Sequence, residues 1–171
     1  MSAQLPLAWI TEAQKYQNLR EVKGAKHNPI ILGWLRELDA WWANDEVPWC
    51  GTYVAVCLQR TGRGIPKHWY RALAYADYGT KLDKPCYGCI VVFSRQGGGH
   101  VGFVVGVDRF GNLMVQGGNQ NDQVNIRPFS VGRVTAYIWP PTASGRAMSP
   151  DPRRYNLPVL KSDGRVSTNE A

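Results

Sequence analysis

An α+β domain with helices packed on an antiparallel sheet is predicted by two observations and bounded by a third. Apolar residues recur at helical spacing in the first half of the chain, and from Cys89 onward the text turns to short β-branched or aromatic runs broken by Gly, Asn and Asp. The length of 171 residues with 44% hydrophobic residues suits one compact domain with its own core and is short for two.

The helices come first. In "NPIILGWLRELDAWW" (28–42), Ile31, Leu32, Leu35, Leu38, Trp41 and Trp42 lie on one stripe, with Asn28 as N-cap and Pro29 at the first helical position. This stripe is expected to pack inward. "CGTYVAVCLQRTG" places Val54, Cys57 and Leu58 on one face of a second helix closed by Gly62, and "KHWYRALAYADYG" (67–79) reads as a third ending at Gly79. The strands follow as "CIVVFS", "HVGFVVGVD", "NLMVQGGNQ", "QVNIRPF" and "RVTAYIWP". After Pro140 the chain is rich in Pro, Ser and charge and has no periodicity. The domain is therefore expected to span 1–140, with 141–171 an extended or disordered tail.

The formal net charge of +7 favours an anionic partner, whether nucleic acid, a membrane surface or a cell-wall polymer. Lys and Arg are scattered rather than massed on one element, and no zinc-finger, recognition-helix or RNA-binding motif is present, so no specific nucleic acid is expected. No apolar run approaches the roughly 18 residues needed to cross a bilayer, and the N-terminus lacks the pattern of a signal peptide. Synthesis in the cytoplasm without membrane insertion is the expectation. Seven Trp and eight Tyr would serve either as core or as stacking platforms for bases or sugars.

"EVPWCGTYVAVC" puts Cys50 directly ahead of a helix. Unpaired N–H groups and the helix dipole favour thiolate there, although cysteine is also among the residues most often buried as plain core. Cys57, two turns on, has no basic companion and reads as core. A nucleophilic cysteine needs a base. His27 reads as a surface residue beside a helix cap and His68 as a packing residue among aromatics, whereas His100 follows "RQGGG" and opens a strand. A turn in "DRFG" centred between Arg109 and Phe110 pairs residues whose numbers sum to 219, which sets His100 opposite Asn119 on the same sheet face. A shift of one residue substitutes Gln120 and reverses the side-chain direction. "GGNQND" as a plain polar turn is the other reading.

The blocks "NPIILGWL", "PWCGTYVAVCL", "VVF", "GHVGFVVG" and "GGNQND" with "VNI", in this order over roughly residues 9–140, resemble the CHAP and NlpC-type papain-like cysteine amidopeptidases, specifically the small branch found in phage lysins and secreted bacterial wall-degrading effectors. The resemblance implies a papain-like fold. It makes Cys50 the nucleophile, His100 the base and Asn119 the orienting third member of a triad, with amide bonds of peptidoglycan stem peptides or cross-links as substrate. Asn44, Asp45, Trp49 and Gln120 are the further positions expected near substrate or oxyanion. No metal or cofactor is implied. Such an enzyme would act at the wall or in the periplasm after delivery by a holin or a secretion-system component, and an effector would be paired with an immunity protein. In "GCIVVF", Cys89 stands where the group usually carries an acidic residue. Two other classes compete: a structural zinc module on Cys86 and Cys89 with Cys50 and Cys57, whose "CYGC" half has suitable spacing, and an acyltransferase of related fold.

Overall fold

The computed structural model describes residues 5–23, 27–44 and 48–170. Three helices, α1 (Ala8–Gln14), α2 (Pro29–Glu37) and α3 (Cys50–Arg60), precede a six-stranded sheet. The strands are β1 (Thr80–Leu82), β2 (Ile90–Arg95), β3 (Gly98–Val107), β4 (Leu113–Gly117), β5 (Asn125–Phe129) and β6 (Val134–Trp139). Their order across the sheet is β1-β6-β2-β3-β4-β5, with every pairing antiparallel. This is the α+β class that the spacing predicts, with α1 and β1 added to the elements read from sequence.

Helix α3 is the hub of the core. Every residue from Cys50 to Leu58 is buried, because α1 and α2 cover one side of the helix and β3 and β4 the other. At its far end the Arg60 guanidinium donates to Glu37 on α2 and Glu12 on α1, so one side chain ties the three helices together. Asn28 caps α2 by accepting from the N–H groups of Ile30 and Ile31 at 2.8 and 3.4 Å.

Helix α2 is shorter than its apolar stripe. Asp39 takes a left-handed φ of 59°, and the N–H groups of Asp39 and Ala40 return to the carbonyls of Arg36 and Leu35, which closes the helix with a Schellman motif. Leu38 stays in the core. Trp41 and Trp42 are carried out of it, contrary to the inward packing that helical continuation predicts.

The third predicted helix is replaced by turns and a short 3₁₀ segment, Ala72–Ala76. The residues that face the core here, Trp69, Ala72, Tyr75 and Tyr78, recur every three positions rather than every 3.6, which is the 3₁₀ repeat. The Tyr75 hydroxyl lies 2.8 Å from the Gly51 carbonyl and 2.9 Å from that of Trp69, pinning the segment over the start of α3.

Residues 141–170 are mostly extended and dock on the domain. Leu160 donates to the Val107 carbonyl, Arg154 is buried and donates to the carbonyls of Leu5 and Pro6, and Ser167 donates to the Pro128 carbonyl. Glu170 is buried against Arg133. These contacts give the segment buried anchors of its own.

Candidate active site

Cys50 opens α3, and the glycine behind it is a packing requirement. A Cβ on Gly51 would stand 2.4 Å from the Trp69 carbonyl oxygen, so only glycine lets the 66–79 segment cross the helix start. Cys50 shares the core with Val101, the residue that follows His100 on β3, and α3 packs on that strand. Burial pushes the thiol above its usual range, and nearby backbone N–H groups and Arg95 offset only part of that.

His100 is fully buried on β3, opposite Phe93 on β2. Its ring stacks on Phe129 at 5.3 Å and 5°, Phe129 stacks on Phe93 at 4.6 Å, and the Arg133 guanidinium sits 5.6 Å from both phenyl rings. Burial in this apolar stack holds the imidazole down at about 4. A neutral thiol and a neutral imidazole are thus the resting pair these surroundings favour.

The third group is Gln120. Its Oε1 lies 2.9 Å from His100 Nε2, while its Nε2 faces Asn125 Oδ1 at 2.8 Å and the carbonyls of Asn125 and Val115 at 3.1 and 3.2 Å. Three acceptors around the amide nitrogen settle which way the amide points, so the oxygen must face the imidazole. His100 Nε2 therefore carries the proton. Its Nδ1, buried and without a hydrogen-bond partner among the described residues, keeps a free lone pair.

Asn119, the residue placed opposite His100 by the turn count, does not make this contact. Near the turn the pairs sum to 220 (Val107 with Leu113), and a bulge at Val105 restores 219 for Phe103 with Gln116. The ladder then ends at Gly117, before it reaches position 119. Asn119, Asn121 and Asp122 all adopt positive φ, and this winding turns the Gln120 side chain back over Gly117. The Asn119 amide is buried with neither polar atom partnered among the described residues.

Of the other expected positions, Trp49 is buried, its indole N–H donating to Glu21 at 3.1 Å, and so serves the core. Asn44 is half-buried six positions before Cys50, and Asp45 lies outside the described residues. The cleft over Cys50 has a volume of about 620 Å³ and is walled by His68, Tyr70, Arg71, Arg95 and the glycines 97–99. Sequence reading passed over this wall by taking 67–79 as a packed helix; its three-residue repeat was the available signal. Cys57, Cys86 and Cys89 are fully buried, and among the described residues no three His, Cys, Asp or Glu side chains group closely enough to hold a metal ion, so the zinc module has no structural support.

Gly117 tests the imidazole contact without touching either partner. A Cβ there would lie 2.2 Å from Gln120 Oε1, so Gly117→Ala should displace the amide and lower turnover by about 10² through loss of orientation. Gly132→Ala, where the nearest atom is 3.6 Å away, should leave turnover unchanged. A shifted imidazole ¹⁵N resonance in the Gly117 variant alone would tie the loss to His100.

Helices on an antiparallel sheet, with a cysteine at the start of a helix and a histidine on the strand packed against that helix, make an α+β arrangement consistent with a papain-like fold. Residues 42–119 match the family model of the CHAP domain, a span that includes Cys50 and His100 and stops one residue before Gln120. The match supports a CHAP-type domain over those residues and suggests peptidoglycan hydrolase or amidase activity in general. No curated protein and no solved structure matched the chain.

Proposed function

We propose that the protein hydrolyses an amide bond in the stem peptide or cross-link of peptidoglycan, with Cys50 as nucleophile, His100 as base and Gln120 as the group that orients it. The observation that carries this reading is the Gln120 contact to His100 Nε2, which leaves the Nδ1 lone pair as the proton acceptor on the strand that packs against α3. Nδ1 takes the thiol proton as sulfur attacks the carbonyl carbon, so a neutral pair suffices and no resting ion pair is needed. The backbone N–H of Cys50, at the first position of α3 where no helical acceptor reaches it, suits the oxyanion. The imidazolium then protonates the leaving amine as the C–N bond breaks. A water that gives its proton to Nδ1 hydrolyses the thioester and restores the thiol. The net charge of +7 draws the protein to an anionic wall.

Digestion of purified peptidoglycan tests this directly. New amino groups should appear without new sugar reducing ends, because a thiolate attacks acyl carbons and glycoside cleavage would use a pair of carboxyl groups. Reducing ends in place of amines would reject the proposal.

A further inference from the structure

The Schellman close of α2 leaves Trp41 91% exposed, and the ring of Trp42 meets Trp69 in a stack at 5.7 Å and 24°. Trp41 stands edge-on to Trp42, and Tyr70 edge-on to both Trp42 and Trp69. These four rings form a continuous wall that leads to the catalytic cleft, because Tyr70 lines that cleft together with Cys50. The wall is held in place by the nucleophile's own neighbour: Tyr75 ties the carbonyls of Trp69 and Gly51 together, and Gly51 has no room for a Cβ beneath Trp69. Large aromatic faces left in solvent at a cleft mark a ligand surface rather than a packing error.

The chemistry of the wall selects its occupant. Flat aromatic faces suit the C–H face of a pyranose ring, whose hydroxyl and acylamino groups stay in water. The adjoining cleft adds the cationic Arg71 and Arg95 and the exposed His68, donors suited to the carbonyls and carboxylates of an acidic peptide. A bilayer surface would call for several exposed aliphatic wedges, and among the described residues Leu73 is the one large aliphatic side chain in the cleft lining. We propose that Trp41, Trp42, Trp69 and Tyr70 form a saccharide subsite, so that the amide joining the sugar's lactyl group to the first amino acid is the bond presented to Cys50. This rests on the peptidoglycan reading above for the identity of the bond, but not for sugar binding.

Two measurements separate the two claims. The Cys50→Ala protein is titrated with a β-1,4-linked N-acetylglucosamine tetramer while tryptophan emission is followed, and Trp41→Ala and Trp42→Ala added to that background should each weaken binding by about tenfold. Trp41 is almost wholly exposed, so its removal is not expected to unfold the chain. In the active protein, kcat/KM should be at least about tenfold higher for a disaccharide-bearing stem peptide than for the same peptide without sugar, and the Trp variants should collapse that ratio. Equal rates on both substrates with no emission change would overturn the saccharide subsite while leaving amide hydrolysis intact. Sugar binding without any hydrolysis would keep the subsite and reject the enzymatic reading. Trp-dependent binding to phosphatidylglycerol vesicles without sugar binding would overturn it in favour of a lipid surface.

Discussion

Cys50→Ala is expected to lower peptidoglycan hydrolysis by at least about 10⁴-fold while the fold survives, because the variant loses the sulfur proposed to form the thioester. The thiol is small, and its removal should cost stability of about 1 kcal/mol. Cys57→Ala is the matched control. Its sulfur is on the same helix, fully buried, and raised far above the usual thiol range by burial and by the charge of Glu12, so it should affect stability and not turnover. Thiol alkylation at Cys50 should accelerate as pH rises through the neutral range into the alkaline, since burial disfavours thiolate there. Activity retained in Cys50→Ala would end the nucleophile assignment.

Acidification from pH 6.5 to 4 should remove about 3 kcal/mol of folding stability through His100 alone. The sign follows from the proton count. In the unfolded chain the imidazole titrates near 6.5, whereas burial holds it at about 4 in the fold, so between those values the unfolded state binds the extra proton and is favoured as pH falls. The charged groups around the ring are Arg95, Arg133 and Glu170; the two arginines push its pKa down, while Glu170 and the Gln120 amide push it up, and burial outweighs both. Glu12, Asp108 and Asp151 are held below their ordinary values, so their contributions persist until the pH passes below about 4.5. Unfolding midpoints measured at pH 6.5 and 4.5 should therefore differ strongly in the native chain and weakly in His100→Gln. An imidazole resonance that titrates near 6.5 in the folded protein would contradict the burial argument.

Much of the site can be read from local signals. Cys50 is legible because a helix start announces itself by caps and apolar spacing, and His100 because glycines precede a β-branched strand. The β3–β4 pairing of Phe103 with Gln116 follows from simple turn arithmetic, since errors at the turn and at the Val105 bulge cancel. That arithmetic loses force where the ladder stops. Past Gly117 the residue meeting His100 depends on the run of bends over 118–122, and these answer to the packing of Gly117 and Gly118 against Gln120, Trp49 and Tyr53. The length of α2 and the fate of residues 67–79 escaped for a related reason: apolar spacing shows which residues seek burial, not where a neighbouring segment has already taken the space.

Pattern and composition by themselves determined the α+β class, five of the six strands, the helix that presents Cys50 and the strand that carries His100, because each rests on periodicity within a dozen residues. Tertiary structure decided that Gln120 and not Asn119 meets the imidazole, that Trp41 and Trp42 leave the core to join Trp69 and Tyr70, and that residues 141–170 dock along the sheet. Each of these contacts joins segments distant in the chain or follows a break in regular structure. There, steric exclusion and hydrogen-bond satisfaction between neighbours outweigh the preferences of any single stretch.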